Sequence, residues 1–279
     1  MKKYVFLRFP DFKDKAVTLS YDDGVVYDKK LIDIMNANGL KGTFNLNSGL
    51  FAAKSGERRL TKEEALELYV HSGHEVAVHG VKHLSLAEVD EAMAANDILQ
   101  DRIALENMFG RVIKGMAYAN GSLDQNVADI MKTCGIEYAR TTVSTEKFDI
   151  PENWLMMPAT CHHKNPRLME LAHEFIEKQN SQYYWSNTPR LFYLWGHSYE
   201  FNDEDNWQII EDFAKYIGNR EDIWYATNGE IFEYVKAYES LRFSADGNMI
   251  HNPSCTPVYL NYFGKQYKIS PGQTVIQSK

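Results

Sequence analysis

Three places in the sequence combine residue types that can do hydrolytic chemistry. Asp22-Asp23-Gly24 follows the apolar run Val17-Thr18-Leu19-Ser20-Tyr21, and two adjacent carboxylates repel each other unless a cation or a proton gives them different roles. One can then bind a metal while the other serves as a base, although a solvated turn is the commoner fate of such a triplet on its own. His79-Gly80-Val81-Lys82-His83 ends another apolar run, and a four-residue separation lets two imidazoles face one ion if the segment coils. A pair of surface or capping histidines explains that spacing equally well. His197 closes the run Leu191 to Gly196 and leads into Ser198-Tyr199-Glu200, which makes it a candidate general acid or base; taken alone, a structural histidine is the better account. Cys161-His162-His163 suggests a second metal site, but adjacent residues of an extended segment point in opposite directions, so a structural or supporting role is expected there.

These residues need rigid elements to aim them. Apolar, β-branched runs alternate along the chain with amphipathic segments that open at a capping residue and close at a glycine. Eight strands are expected: Ala16 to Tyr21, Gly42 to Leu46, Glu75 to Val78, Gly115 to Ala119, Tyr138 to Val143, Leu155 to Ala159, Leu191 to Trp195 and Ile223 to Ala226. Between them, Thr61 with Glu64 forms a capping box for a helix ending near Gly73, and Ser85 with Glu88 opens a longer one ending near Gly110. Ser122 with Gln125 starts a helix before Gly135, Asn165 caps one at Pro166, and Asn202 or Asp203 starts the segment that stops near Gly218. The rhythm predicts an α/β fold with parallel strands buried on both faces, as in Leu191-Phe192-Tyr193-Leu194-Trp195, and a closed or partly closed barrel rather than a sandwich. In such barrels the site lies at the C-terminal ends of the strands, where all three chemical segments fall. After about Leu241 the pattern changes to short Tyr/Val/Ile segments punctuated by Asn252-Pro253, Thr256-Pro257 and Pro271-Gly272. Residues 1–240 are therefore expected to form the barrel domain and residues 241–279 a small β-rich C-terminal extension without chemistry of its own.

The chain order of these segments resembles the five-motif pattern of the polysaccharide deacetylases, the NodB-like proteins of carbohydrate esterase family 4 type. Leu19-Ser20-Tyr21-Asp22-Asp23-Gly24 looks like the first motif, and Gly73-His74-Glu75-Val76-Ala77-Val78-His79-Gly80-Val81-Lys82-His83 resembles the second; the likeness extends over about Ala16 to Glu230. The resemblance implies a distorted (β/α) barrel in which Asp23, His79 and His83 hold a divalent metal, usually zinc, with cobalt, nickel, manganese or iron as alternatives. It implies Asp22 as general base and His197, which matches its motif in the histidine only, as general acid.

Two departures stand out. The third motif normally carries an arginine that braces the base, whereas this chain has Ala117-Tyr118-Ala119-Asn120-Gly121. Arg140, at the end of the next strand, is the candidate substitute, since a guanidinium there could reach inward to the carboxylate; a surface arginine is the equal alternative. The fourth motif has no clear match, Trp154 near Asp149 being a poor fit, so nothing in the sequence orients the acid histidine. Tyr118, Asn120, Trp195 and Tyr199, all beside strand ends, are expected as walls for a sugar ring, and a backbone N–H near Asn120 as an oxyanion donor.

Bulk properties narrow the partners. The 279 residues are 44% hydrophobic, enough for one large domain with a substantial core. Lysine and arginine total 30 against 38 aspartates and glutamates, a net charge of −8, and no basic run could follow a phosphate backbone or an anionic lipid surface. Neither nucleic acid nor a membrane is expected as a partner; the expected one is an acetylated sugar or oligosaccharide. Three widely spaced cysteines make a disulfide framework improbable. The stretch after Met1-Lys2-Lys3 meets Arg8 and Pro10 before any apolar signal core can form, so a cytoplasmic setting is expected. The function expected is removal of an N- or O-linked acetyl group from a sugar. Two alternatives stand beside it: an amidohydrolase of small non-sugar amides, and a catalytically silent carbohydrate-binding protein.

Overall fold

The computed structural model describes residues 4–178 and 188–276; Met1-Lys2-Lys3 and residues 277–279 of the C-terminal extension lie outside them. The strand Lys15–Asp22 is buried along its whole length, and it is the axis of a nine-stranded sheet in which every pairing is parallel. On one edge, Lys15 to Tyr21 pair with Arg190–Gly196. On the other, Leu19 to Asp22 pair with Gly42–Leu46 while Lys15 to Val17 pair with Ile223–Tyr225. From Gly42–Leu46 the sheet continues through Glu75–Val78, Gly115–Ala117 and Tyr138–Ser144.

The ring is closed by residues 157–162. Met157–Ala159 pairs with Tyr138–Ser144, Cys161–His162 pairs with Arg190–Gly196, and between them the Thr160 N–H donates to the Tyr193 carbonyl at 2.8 Å. The result is a distorted (β/α) barrel. All eight expected strands are present; that at Leu155 begins later, because residues 154–156 form a 3₁₀ turn, and that at Gly115 ends at Ala117. Val5–Arg8 and Cys161–His162 are strands without a counterpart among the eight.

Side-chain alternation along Lys15–Asp22 sets the character of the interior. Val17, Leu19 and Tyr21 pack outward with Leu31, Ile98 and Phe213 of the helical layer. The intervening Thr18, Ser20 and Asp22 carry polar groups that bond to Asn228 and Asn45. The barrel axis is therefore polar, and its first strand delivers Asp22 to the C-terminal mouth.

Helix starts follow local chemistry. Thr61 and Glu64 form the expected capping box for Lys62–Val70. Ser85 opens only a single 3₁₀ turn, and the long helix runs Glu91–Phe109 from Asp90. Asp124 caps Gln125–Thr133, Ser122 being occupied as acceptor for the Ala87 N–H. Asn165 accepts from the Arg167 N–H ahead of Leu168–Glu177. The segment expected from Asn202 is two helices, Ser198–Asp203 and Gln208–Ile217, because the first turn already begins at His197.

The C-terminal region forms two small antiparallel sheets. Val5–Arg8 lies against Val258–Tyr262, which pairs in turn with Lys265–Ile269, and Met249–His251 lies between Arg242–Phe243 and Thr274–Ile276. A separate apolar cluster around Ile250, Leu260 and Ile269 underlies them. Among the described residues no helix is long and apolar enough to cross a membrane.

Candidate active site

The alternation that points Asp22 inward breaks at Asp23, whose φ of 87° lies in the left-handed region. Such a conformation is strained for a residue with a side chain, and it turns two consecutive carboxylates toward the same mouth. Coiling of the second segment comes from Gly80, at φ 82°, and His83, at φ 56°; a Cβ on Gly80 would fall 2.4 Å from Asp97 Oδ2, so only glycine fits. The imidazoles of His79 and His83 consequently lie edge to face, 4.8 Å between centroids. Ligand atoms of Asp23, His79 and His83 all fall within 4.8 Å of one another.

These three fit a divalent cation on grounds of their own bonding. His79 is 1% exposed and its Nδ1 lies 2.9 Å from the Ala117 carbonyl, which fixes the proton there. Its Nε2 is then a bare lone pair, buried and without a hydrogen-bond partner, the arrangement a metal-binding imidazole requires. Burial also pushes the His79 pKa down, against the opposing pull of Asp22 and Asp23, so the neutral ligand form prevails. Asp101 steadies the segment by accepting the His79 and Ser48 N–H groups at 3.0 and 2.7 Å.

Asp22 lies beside this cluster, 2% exposed. Asn45 Nδ2 donates to its Oδ1 at 2.8 Å, and Arg140 Nη2 donates to its Oδ2. Burial alone would raise its pKa, but the Arg140 charge, with His79, His197 and the Asn45 bond, outweighs this and pulls it down to about 2. Arg140 is not on the surface: it is among the largest fully buried side chains, with its guanidinium 4.3 Å from the Trp195 ring. His197 Nε2 approaches Asp22 Oδ2 at 3.8 Å.

The residue that orients His197 is Glu200, to which the sequence alone assigned no role. As N-cap and third residue of one short helix, the two meet directly: Glu200 Oε2 accepts the His197 backbone N–H at 3.2 Å and lies 3.2 Å from its Nδ1. The His-x-x-Glu spacing at a helix start was the available signal. His162 Nε2 and His163 Nε2 approach the same oxygen at 3.2 and 3.3 Å, and Lys164 Nζ meets Oε1 at 2.9 Å. Burial pushes Glu200 up, but the bonds from His162, His197 and Lys164 hold it well below the usual carboxylate range. In turn, desolvation pulls His197 down while Glu200 and the charges of Asp22 and Asp23 more than compensate, so its pKa is raised.

The expectation that His162 and His163 point apart is corrected: the strand ends at His162, so alternation does not carry past it. They do not make a metal site as disposed, since His162 Nδ1 accepts the Lys164 N–H at 3.1 Å and leaves the proton on Nε2. His163 is sandwiched between Tyr21 and Phe201.

Two of the four expected sugar walls are corrected as well. Tyr118 is 1% exposed and its hydroxyl donates to the Leu155 carbonyl at 2.7 Å, so its ring lies in the core rather than at the mouth. Trp195 is buried beneath Arg140 and His162. Asn120 and Tyr199 do stand at the rim. Asn120 is exposed and donates to Ser85 Oγ at 3.1 Å, and the Tyr199 ring lies 5.0 Å from His197 with Arg58 4.4 Å over its face.

Fold and site together define a parallel α/β barrel with a carboxylate–imidazole centre, competent to hold a cation, at the C-terminal mouth. Residues 10–139 match the sequence model of the polysaccharide deacetylase family. The match includes Asp22, Asp23, His79 and His83 and stops one residue short of Arg140. A chitin deacetylase from Pestalotiopsis sp is 30% identical over 99 residues, 34% of this chain and 30% of that protein's length, so the aligned part spans under a third of that relative. Among solved structures, a polysaccharide deacetylase from Mycobacterium smegmatis aligns over 84% of this chain and 94% of its own, at 17% identity and a TM-score of 0.59. The Xyl-CE4 domain of a xylanase from the hindgut metagenome of Trinervitermes trinervoides aligns over 80% and 92%, at 15% identity and 0.52. The family 4 carbohydrate esterase from Streptomyces lividans, in complex with acetate, aligns over 77% and 93%, at 13% identity and 0.51. At these identities the three show the fold.

Proposed function

We propose that this chain is a divalent-cation-dependent hydrolase that removes an N- or O-linked acetyl group from a sugar or oligosaccharide. The observation that carries the reading is the buried, unpartnered Nε2 of His79 facing Asp23 and His83 beside the Asp22–Arg140 pair. One carboxylate and two imidazoles suit zinc, and also cobalt, nickel, manganese or iron. A cation held there with an open position would lower the pKa of a water toward about 7 and polarise the acetyl carbonyl.

The remaining work falls to the chain's own side chains. Asp22 is ionised throughout the neutral range and is the acceptor for the proton of the attacking water. A carboxylate with so low a pKa does not retain that proton, and His197 Nε2, 3.8 Å away, takes it once it has given its own to the leaving group. His197, its Nδ1 tied to Glu200, holds a proton on Nε2 for the departing nitrogen or oxygen. Arg140 keeps Asp22 aimed into the mouth, and Tyr199 and Asn120 offer the rim against which a sugar ring would rest. Among the described residues all three cysteines are free. A reducing, cytoplasmic setting and a soluble oligosaccharide are in keeping with that.

The test is acetate release from N-acetylated and O-acetylated oligosaccharides, with and without a chelator. Release from at least one, abolished by chelation and by His79→Ala and restored to the unsubstituted chain by added Zn2+ or Co2+, is the expected result. Release that ignores the chelator, or that occurs from small amides and from no sugar, would reject the proposal.

A further inference from the structure

Asp23 is held by more than its own backbone. The Arg59 guanidinium grips it twice, Nη2 donating to Oδ1 at 2.9 Å and Nη1 to its main-chain carbonyl. The same Nη1 donates to Asn47 Oδ1 at 3.1 Å, and the other end of that amide, Nδ2, donates to the carbonyls of His79 and Gly80, both at 2.8 Å. One unbroken set of hydrogen bonds thus runs from Asp23 through Arg59 and Asn47 to the backbone that carries His79. The backbone around Arg59 is itself anchored, because its segment bridges to Val25, with the Leu60 N–H on Gly24 and the Val26 N–H on Arg58. Asn47 is 1% exposed.

Two of the ligands in the proposed cation site come from strand ends 56 positions apart in sequence, and Asp23 sits in a strained, left-handed conformation. Left to itself, a strained residue relaxes, and its carboxylate swings away from the imidazoles. A guanidinium fork that holds carbonyl and carboxylate together prevents this, and its planar geometry is one a lysine ammonium cannot reproduce.

We propose that Arg59 and Asn47 form a clamp that fixes Asp23 at the separation from His79 at which both can grip one divalent cation, so that Arg59 is a positioning residue for metal binding. The inference rests on the cation-site reading above and adds to it a residue pair outside the ligands. Arg59 has two opposed effects, since its fork favours binding while its positive charge opposes it. Arg59→Lys keeps the charge and removes the fork; Arg59→Met removes both.

The experiment measures Zn2+ and Co2+ affinity of the metal-free full chain by competition with a chromophoric chelator, together with the visible d–d spectrum of the Co2+ form. Circular dichroism and a thermal melt of each metal-free variant establish that it is folded. Arg59→Lys is expected to bind roughly 10- to 100-fold more weakly, with a shifted d–d band. Asn47→Ala is expected to move in the same direction, and the double variant to lose less than the two singles together. Arg59→Met, relieved of the charge, should fall between Arg59→Lys and the unsubstituted chain. Affinity and spectrum unchanged in Arg59→Lys, with tighter binding in Arg59→Met, would overturn the clamp and leave a mere charge effect. If the unsubstituted chain bound neither ion, the cation site itself would be wrong and the clamp would fall with it.

Discussion

Replacing Arg140 by methionine tests how the polar barrel interior tolerates its own carboxylate. Asp22 and Arg140 are 2% and 1% exposed, and the arginine is first among the influences that offset the desolvation of Asp22. The carboxyl is brought from its ordinary 3.8 down to about 2, and at about 1.4 kcal/mol per pH unit this corresponds to roughly 2.5 kcal/mol of stability above pH 4. The sign is that of a depressed acid: the contribution is complete above the unfolded pKa and is lost as pH falls through 2. That figure is already net of burial, so removing the cation should cost more, about 3–5 kcal/mol at pH 7, because an unpaired charge is left in the interior. Methionine still covers the Trp195 ring, so lost packing contributes little. Urea unfolding of Arg140→Met, Asp22→Asn and the double variant at pH 7 supplies the measurement. The double variant should be less destabilised than the sum of the singles by about 2 kcal/mol or more. In Arg140→Met the buried carboxyl would titrate high, so part of the loss should return as pH is lowered toward 5. A single-variant cost below about 1 kcal/mol, with additive singles, would refute the reasoning.

Two other buried groups give sharp expectations. Asp28 is fully buried, and burial lifts its pKa to about 7 despite hydrogen bonds from Ser198, Tyr69 and the Val25 N–H. A raised acid stabilises the fold below its unfolded pKa and loses that contribution as pH rises to 7, so the stability difference between the unsubstituted chain and Asp28→Asn should shift against the unsubstituted chain by up to about 4 kcal/mol between pH 4 and 8; a pH-independent difference in urea midpoint curves would contradict it. Glu200→Gln removes the anion that raises His197, so the alkaline limb of the proposed hydrolytic activity should move to lower pH and kcat should fall on the order of 10-fold, with KM little changed. An unmoved limb would take Glu200 out of the reaction.

What could be read from the sequence depended on whether a residue's role was set by its neighbours in the chain. The strands were legible because parallel strands buried on both faces leave continuous apolar runs, as in Arg190–Gly196. Asp22, Asp23 and His79 drew notice because each sits where an apolar run stops, and His83 by its spacing from His79; the structure brings these four together with His197 and Arg140. Trp195 and Tyr118 were misplaced for the same reason in reverse: nearness to a strand end says nothing about which face a side chain takes, and both rings turned to the interior. Arg59 and Asn47 left no local trace, since their partners lie at Asp23 and His79 and the connection exists only once the barrel has closed. Helix starts were legible to within a turn at Thr61, Ser122 and Asn165, and were missed at Ser85, which opens only a 3₁₀ turn five residues ahead of the true cap Asp90.

The pairing of Val5–Arg8 with Val258–Tyr262 joins parts of the chain that leave the ribosome far apart in time. During synthesis the early strand waits without its strand partner while the whole barrel is made, and exposed edges of that kind recruit foreign strands. Phe9, fully buried directly after this strand against Trp224 and Tyr234, cannot reach its final neighbours until most of the chain has been produced. The strand Val258–Tyr262 therefore acts as a latch on Val5–Arg8, and a chain cut short before Val258 would leave that apolar strand unpaired.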